Sequence, residues 1–475
     1  FFLSEFVTCS RMAKRKRVPI VAATTLNKEE SEHEASSHDE KECPSDHEAS
    51  SNDEASEQTF EIKDVAPGTI LPTREKGDID KPDSPEDVRY RIDELVRVLS
   101  NFKEEREEGH PRKEYLELLS QDLQSFYGYN EFLVQKFMDL LPTSEVVELL
   151  EANENARPVT IRVNSLKVKR RDLVNMLVSR GVHLQVMEKW NNVGLQVFDS
   201  KVAVGATLEY LAGYYMIQSA VSFLPVLTLD VKENDTVLDM AAAPGGKTSH
   251  ICQILGKSGL VFANDFSSER CKALFANLQR LGCFQAIVTT LDGCKYGRMY
   301  PAYFDKVLLD APCSGSGIIS RDRSIKLTKT QDDIDICVRV QKKLLLSAID
   351  SCKVGGTIVY STCSILVEEN ECVIDYALRK RGVQILETGL PFGRPGFHKF
   401  RQYRMHTDIA KCRRFYPHLH NLDGFFVCKL KKTSDFVFTK HSDSKGEQLN
   451  EAKEQEKTHK KAKRSKKSAG KPQRK

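Results

Sequence analysis

Long apolar runs and paired cysteine motifs are missing from this sequence of 475 residues. No apolar stretch reaches the length that a membrane span needs, and no signal peptide is evident, so we expect neither a membrane protein nor a secreted one. The thirteen cysteines are scattered and include no Cys-x-x-Cys pair. This usage disfavours a zinc site or a disulfide framework and indicates reduced thiols, so we expect no metal.

Charge is segregated along the chain, and the net charge of +4 conceals this. A basic cluster at Lys14–Arg17, typical of nuclear import, precedes an acidic segment in which a His-Glu-Ala-Ser-Ser stretch occurs twice. A solvated basic chain end is the alternative interpretation of the cluster. Low hydrophobicity predicts disordered tails at 1–80 and 434–475, the second being basic and attractive to phosphate backbones. Because the first residue is Phe, Met12 is the expected true start.

Two regions precede the main fold. From about Pro85, apolar residues recur at helical spacing and predict a helical region over 81–155. The apolar stripe consists of Val88, Ile92, Leu95, Val96 and Leu99. Residues 156–234 contain a strand, helix and strand pattern, and the helix opens on a group of basic residues. We interpret this part as a small α/β subdomain that docks RNA, although the charges also suit an ordinary soluble face.

Strand and helix patterns alternate over residues 235–433, which predicts an α/β fold with a doubly wound, mostly parallel Rossmann-like sheet. The expected strands lie at 236–240, 259–264, 286–290, 304–309, 356–360, 383–387 and 424–430. In such sheets, ligands bind at the carboxyl ends of the strands. Residues that directly follow these strands are therefore the first candidates for a site.

The turn after the first of these strands is built from small residues. It contains Ala241, Ala242, Ala243, Pro244, Gly245 and Gly246, followed by Lys247. This is neither a Walker A loop nor a Gly-x-Gly-x-x-Gly motif, so phosphoryl transfer loses support. Asp265, Asp292 and Asp310 follow the next three strands, and three carboxylates would repel a triphosphate. We predict S-adenosylmethionine as the cofactor, with Asp265 on the ribose and Asp292 at the adenine end, although each acid alone could be a turn residue.

Two turns that carry cysteine, Asp310–Gly315 and Ser361–Ser364, each follow an apolar run of strand length. Each turn presents a thiol, Cys313 or Cys363, at the sheet edge where ligands bind. Two thiols in one cleft beside an acid suit a reaction that needs a covalent nucleophile and a second group to complete it. A pair of small buried thiols without chemistry is the alternative.

These motifs together resemble the Sun-domain family of RNA cytosine-5 methyltransferases over residues 157–432. The residues that carry the resemblance are Ala241–Lys247, Asp265, Asp292, Asp310–Gly315, Ser361–Ser364 and Asp423–Phe426. The segment Arg413–His418, with the acidic N-terminus and the basic tail, looks most like the nucleolar member that acts on large-subunit ribosomal RNA. One departure is that many relatives carry Cys where Ala241 or Ala242 stands.

The resemblance implies a class I methyltransferase domain over residues 235–433 that forms 5-methylcytosine in large-subunit rRNA. It further implies a role in large-subunit biogenesis within pre-ribosomal particles, in the nucleus and nucleolus. By the same resemblance, Cys363 adds to cytosine C6, Cys313 assists product release, and Asp310 hydrogen-bonds the N3/N4 edge of the base. Lys247 is expected to lower a thiol pKa or to position the substrate.

Other assignments stay open at this point. DNA cytosine-5 methyltransferases use the cysteine of a Pro-Cys turn, which here is Cys313, and spacing alone does not exclude that choice. An RNA-binding assembly factor for the large ribosomal subunit, in which methylation is dispensable, also fits the tails. Residues 397–417 interleave basic and aromatic residues, which predicts contacts with RNA phosphates and stacking on unpaired bases. A charged surface loop with a few buried rings is the alternative there.

Overall fold

The computed structural model describes residues 84–187 and 190–437. The basic cluster, the acidic repeat, Met12 and nearly all of both predicted tails lie outside these residues. No helix within the described ranges combines the length and the apolar character that crossing a membrane requires. Along the chain, the described residues form a helical region, a small antiparallel sheet and a large mixed sheet.

The helical region contains five helices. They are α1 (Pro85–Ser100), α2 (Phe102–Glu105), α3 (Arg112–Tyr127), α4 (Glu131–Leu140) and α5 (Thr143–Glu154). Helix α1 begins at a capping box, in which Ser84 and Asp87 each bond the other's backbone N–H through a side chain. The apolar stripe of α1 is buried as predicted except at one margin, where Val98 is fully buried and Val96 is partly buried.

The small sheet follows the helices. Its elements are β1 (Val159–Val163), α6 (Arg170–Ser179), β2 (Val182–Val186), β3 (Gly194–Ser200), α7 (Leu208–Leu211) and β4 (Tyr215–Ile217). The strand order is β2-β3-β1-β4, and neighbouring strands are antiparallel. One face packs Ile161 and Leu195 with Leu173 and Leu177 of α6. The expected strand, helix and strand pattern was therefore incomplete, because it lacked β3 and β4. Strand β4 has three residues and is too short to show an alternation of apolar and polar positions.

The large sheet has nine strands. They are β5 (Thr236–Asp239), β6 (Leu260–Asn264), β7 (Ala286–Thr289), β8 (Phe304–Asp310), β9 (Cys352–Thr362), β10 (Arg381–Leu386), β11 (Arg394–Pro395), β14 (Arg413–Phe415) and β15 (Phe425–Val437), and a separate hairpin joins β12 (Lys399–Phe400) to β13 (Tyr403–Arg404). The helices are α8 (Leu224–Leu229), α9 (Gly246–Leu255), α10 (Ser268–Leu281), α11 (Tyr296–Met299), α12 (Ile325–Thr328), α13 (Gln331–Ser351), α14 (Glu371–Lys380) and α15 (Pro417–His420).

The order in this sheet is β11-β14-β15-β9-β8-β5-β6-β7, and β10 also pairs with β15. Strands β5 to β9 are mutually parallel, whereas β15 is antiparallel to β9, β10 and β14. The predicted α/β fold is confirmed. The sheet as a whole is mixed, because only β5 to β9 are parallel and the remaining strands pair antiparallel. One boundary differs, since β15 continues to Val437, past the predicted start of the tail at residue 434.

Both faces of the large sheet are covered. Val307, Leu308 and Leu309 in β8 are all fully buried, and they alternate between two hydrophobic clusters. A strand packed on both faces has no solvent side, which is why its sequence is a continuous apolar run rather than an alternating one. The same burial leaves the strand ends as the places where polar side chains meet solvent.

The helical region packs directly on the segments that follow the two cysteine turns. Ile319 and Ile325, after Cys313, share one hydrophobic cluster with helices α1 to α5. Ile365 and Leu366, after Cys363, belong to the same cluster. The fold therefore supports both turns from the helical side as well as from the sheet.

Candidate active site

The two cysteine turns lie side by side because β8 and β9 are adjacent parallel strands. Their register pairs Asp310 with Ser361, so the carboxyl ends of both strands coincide. The structure places the Cys313 Sγ 3.2 Å from the Cys363 Sγ. Both residues are partly buried and neither forms a disulfide. The two predicted thiols therefore meet at one sheet edge.

The contact between the two sulfur atoms affects the protonation of Cys313. The hydrogen bond with Cys363 is the largest of the causes that raise the pKa of Cys313 well above its usual value, and burial adds to it. A thiol with a raised pKa keeps its proton at neutral pH and is a poor nucleophile. Either sulfur can be the donor in this contact.

Lys247 and Asp310 form the charged part of the same site. The Lys247 Nζ lies 2.7 Å from Asp310 Oδ2, and the Ser361 hydroxyl donates to Asp310 Oδ1 over 2.7 Å. Lys247 also lies over the ring of Phe425, at 5.9 Å from its centroid. The described contacts of Lys247 are thus with a carboxylate and an aromatic ring. Among the described residues, no direct contact of Lys247 with a cysteine supports the prediction that it lowers a thiol pKa.

The small-residue turn connects β5 to α9 as predicted. Gly245 has a φ of +102°, in the left-handed region that suits glycine, and α9 begins at Gly246. The Gly245 amide donates to Ala242 O over 2.7 Å, which closes the turn. The first amide groups of α9 therefore face the carboxyl edge of the sheet, where a helix start favours anionic groups.

The three acids predicted for the cofactor all follow parallel strands, so they occupy the same edge of the sheet. Asp265, 2% exposed, accepts from the Ala243 amide over 3.2 Å and from the Ser267 amide over 3.0 Å. It is thereby tied to the small-residue turn. Asp292 accepts from the Cys294 amide over 3.0 Å, which is a turn-capping contact. The carboxylates retain lone pairs for hydroxyl and amino donors, the groups that a nucleoside and an amino acid offer.

Two buried residues of this region escaped the sequence analysis. Asp239 ends β5, is 1% exposed, and accepts from the Thr248 hydroxyl over 2.7 Å. Arg162 of β1 is fully buried and donates to the Ser249 hydroxyl over 2.6 Å, to Gly246 O and to the side chain of Gln218. The sequence does contain a signal for Arg162, because an arginine alternates there with apolar residues in a strand. Its side chain lies on the opposite face of β1 from Ile161 and Val163, which pack with α6.

Arg162 links the small sheet to the small-residue turn. Its guanidinium holds the first turn of α9 through Gly246 and Ser249. Burial lowers the pKa of Arg162 to about 9, so the cation persists at neutral pH despite desolvation. The small sheet and the predicted cofactor turn are therefore one connected structure.

The prediction that residues 397–417 present aromatic and basic side chains to RNA was wrong for its last part. Phe415 and Tyr416 are fully buried, and Arg414 is 1% exposed. Arg414 pairs with Glu371 at 2.6 Å and donates to the Tyr416 hydroxyl over 2.7 Å. The interleaved pattern arises there from a buried ion pair. The remaining exposed cations of the segment include Lys399, Arg401 and Arg404.

The motif Asp423–Phe426 has a structural place beside the Cys313 turn. The Gly424 amide donates to Gly317 O over 2.7 Å, and a Cβ at Gly317 would lie 2.2 Å from Gly424 O. Any side chain at either glycine would separate the start of β15 from the loop that follows Cys313. Glycine is needed here for backbone contact.

Comparisons with known proteins identify the family of this chain. A family model described as 16S rRNA methyltransferase RsmB/F matches residues 226–431, and a ferredoxin-like domain model of RsmF/B-like methyltransferases matches residues 129–200. A Homo sapiens protein named 28S rRNA (cytosine(4447)-C(5))-methyltransferase is 52% identical over 354 residues, which are 74% of this chain and 44% of that protein. The chain spans about half the length of the curated relatives it matches.

Solved structures extend the comparison. A methyltransferase homologue from Pyrococcus horikoshii has a TM-score of 0.60 and 35% identity, over 66% of this chain and 98% of that one. The structure of NSun6 from the same organism with SFG has a TM-score of 0.57 and 25% identity, over 63% and 97%. The predicted resemblance is thereby confirmed. The chain belongs to the RsmB/F, or Sun-domain, family of methyltransferases.

Proposed function

We propose that this chain is an S-adenosylmethionine-dependent RNA (cytosine-5) methyltransferase that forms 5-methylcytosine in large-subunit ribosomal RNA. The observation that carries the proposal is the pair of sulfur atoms, 3.2 Å apart, beside the carboxylate of Asp310. The name of the human relative supports the substrate, and SFG, an analogue of S-adenosylmethionine, in the NSun6 structure supports the cofactor.

Cys363 is the nucleophile in this mechanism. Its thiolate adds to cytosine C6, and the electron pair of the C5–C6 double bond becomes available at C5. S-adenosylmethionine supplies the electrophilic methyl group that C5 takes up. Loss of the C5 proton and expulsion of the Cys363 thiolate then restore the aromatic ring. Membership of the RsmB/F family supports this assignment over the Pro-Cys alternative, in which Cys313 would attack.

The neighbouring residues have separate roles. Cys313, whose sulfur lies 3.2 Å from that of Cys363, assists the release of product. Asp310, oriented by Ser361 and Lys247, bonds the N3/N4 edge of cytosine and stabilises the charge that develops on the ring. The small-residue turn with Asp265 and Asp292 holds the cofactor. A cytosine has to leave its stack to reach this sheet edge.

RNA contact beyond the target base falls to exposed cations. Lys167, Lys169, Arg170 and Arg171 lie exposed at the start of α6 in the small sheet. Such a group suits phosphates and would give binding that weakens with salt. Pre-ribosomal particles in the nucleolus are the proposed setting, which the basic cluster Lys14–Arg17 supports.

Methyl transfer from labelled S-adenosylmethionine tests the proposal. We expect the chain to methylate C5 of cytosine in large-subunit rRNA fragments and not in duplex DNA. Cys363→Ala should abolish transfer, because the covalent route is lost. Cys313→Ala should accumulate a denaturant-resistant protein–RNA adduct, since release is impaired. Cys372→Ala, a partly buried cysteine of α14, is the matched control and should retain transfer.

Three outcomes would contradict the proposal. Full transfer by Cys363→Ala together with loss in Cys313→Ala would reverse the roles of the thiols. Normal ribosome production in cells that carry Cys363→Ala would favour the assembly-factor alternative, in which methylation is dispensable. Transfer to duplex DNA in place of RNA would support the DNA methyltransferase alternative.

A further inference from the structure

The Cys313 turn rests on a buried carboxylate. Glu369, in the segment between β9 and α14, is fully buried. Its oxygens accept from the Ser314 amide over 2.8 Å, from the Ser314 hydroxyl over 2.6 Å, and from Gln341 Nε2 over 3.1 Å. These three donors are neutral groups. Two of them belong to the residue next to Cys313, so the carboxylate fixes the backbone that carries this thiol.

The same residue supports the strand that carries the other thiol. The Tyr360 hydroxyl donates to the backbone carbonyl of Glu369 over 2.6 Å, and Tyr360 lies three positions before Cys363 in β9. Gln341 of α13 completes the arrangement, because its Nε2 also donates to Pro312 O over 2.9 Å. Glu369 is therefore bonded to both elements whose ends bring the sulfur atoms together.

We propose that Glu369 is the positioning residue of the two-thiol site, holding the Cys313 turn and the end of β9 so that the two sulfur atoms stay in contact. The inference rests on the function proposed above for the role of Cys313 in product release. The sulfur geometry itself is testable without RNA, so the two proposals can fail separately.

Burying a carboxylate at this place costs desolvation free energy, so its presence indicates a role. Burial raises the pKa of Glu369, and the hydrogen bonds from Ser314 and Gln341 oppose that rise. A glutamine of the same shape would avoid the desolvation of a charge. It would also present an N–H group where a carboxylate oxygen now accepts from the Ser314 amide or hydroxyl. The negative charge of Glu369 further contributes to the raised pKa of Cys313, after Cys363 and burial.

Oxidation of the purified protein by diamide measures the sulfur geometry. Diamide is an azo compound that takes up both thiol hydrogens and becomes a hydrazine as the S–S bond forms, so the reaction balances. From 3.2 Å, a short movement brings the sulfurs of Cys313 and Cys363 to the ~2.05 Å of a disulfide. Peptide mapping of the Cys313–Cys363 link over time gives its rate of formation.

We expect Glu369→Gln to form this disulfide about tenfold more slowly than the wild type, because the turn is released. The matched control is Glu368→Gln, which makes the same chemical change one residue earlier, where the side chain pairs with Lys136 of α4. The control should react within about twofold of the wild type. Circular dichroism establishes that each variant is folded under the conditions of the assay.

A folded Glu369→Gln that reacts as fast as the wild type would overturn the inference. A second variant, Ser314→Ala, removes one of the three bonds to the carboxylate and should slow the reaction less, which keeps the test informative if Glu369→Gln does not fold. With RNA present, Glu369→Gln should accumulate the covalent adduct expected of Cys313→Ala, and Glu368→Gln should not. An adduct at the wild-type level in Glu369→Gln would also count against the inference.

Discussion

Asp239 illustrates how a single buried side chain sets a pH response. One of its oxygens accepts from Thr248, and the other, Oδ1, has no hydrogen-bond partner among the described residues. Burial raises the pKa of Asp239 to about 7 from an ordinary value of 3.8, although the hydrogen bond from Thr248 acts in the opposite direction. The folded protein therefore binds this proton more tightly than the unfolded chain does.

The consequence for stability has a definite sign. The stabilisation of the fold that comes from the raised pKa of Asp239 is fully present below pH 3.8 and is lost as the pH rises through about 7. Asp239→Asn stays neutral and can still accept from Thr248. We therefore expect the free energy of unfolding of Asp239→Asn, minus that of the wild type, to increase by at least ~1 kcal/mol from about pH 5 to about pH 8. Urea unfolding at several pH values measures this, and parallel profiles for the two proteins would contradict it.

At the scale of elements, the contact between β1 and α9 sets the small-residue turn. Replacing Arg162 by Met removes the guanidinium that donates to the carbonyl of Gly246 and to the side chain of Gln218. The first turn of α9 should then loosen. We expect the dissociation constant for S-adenosylmethionine, measured by calorimetry, to rise about tenfold, and Arg162→Lys to recover part of the loss.

An exposed arginine of the same subdomain provides the control. Arg171 lies exposed on α6, so we expect Arg171→Met to leave the affinity for S-adenosylmethionine unchanged. Weaker RNA binding with normal cofactor affinity in Arg162→Met would indicate that Arg162 acts on RNA docking alone.

The success of the sequence predictions at this scale depended on burial. Strands β5, β6, β8 and β9 each contain a short buried apolar run, such as Val307–Leu309 in β8 and Ile358–Tyr360 in β9, which can be recognised in the sequence. The acids and cysteines at their ends follow from the parallel order. Strands β4 and β11 to β14 have two or three residues, which is too short for a local pattern to mark them. Strand β4 pairs with the distant β1, and β11 pairs with β14.

Partners distant in the chain also explain the residues that were missed or misread. Arg414 looked like an RNA contact because a guanidinium beside aromatic rings has the same local sequence whether it faces a phosphate or a buried acid. Its partner, Glu371, lies 43 positions away. Glu369 was missed for a related reason, since its donors Ser314 and Gln341 belong to other elements and nothing in its own segment indicates them.

At the scale of the whole molecule, the helical region and the two cysteine turns share one hydrophobic cluster. Phe137 of α4 is fully buried in it. We expect Phe137→Ala to lower the free energy of unfolding by about 3–5 kcal/mol, because the truncation leaves a cavity among side chains that cannot fully relax. Chemical denaturation followed by circular dichroism measures the change.

Phe275→Ala gives the comparison for that prediction. This phenylalanine of α10 is 52% exposed and should cost within about 0.5 kcal/mol. A loss as large as that of Phe137→Ala would mean that exposure is not what separates the two positions. Slower oxidation of the Cys313–Cys363 pair in folded Phe137→Ala would show that the helices contribute to the sulfur geometry.

The backbone contact between Gly317 and Gly424 bears on when the protein becomes active during its own synthesis. The loop beyond Cys313 is completed by the amide of a residue that the translating ribosome adds much later. A nascent chain that already contains both cysteines still lacks this support until β15 has emerged. We expect a chain truncated before Gly424 to contain both cysteines and yet to be inactive, because the loop beyond Cys313 lacks this backbone contact.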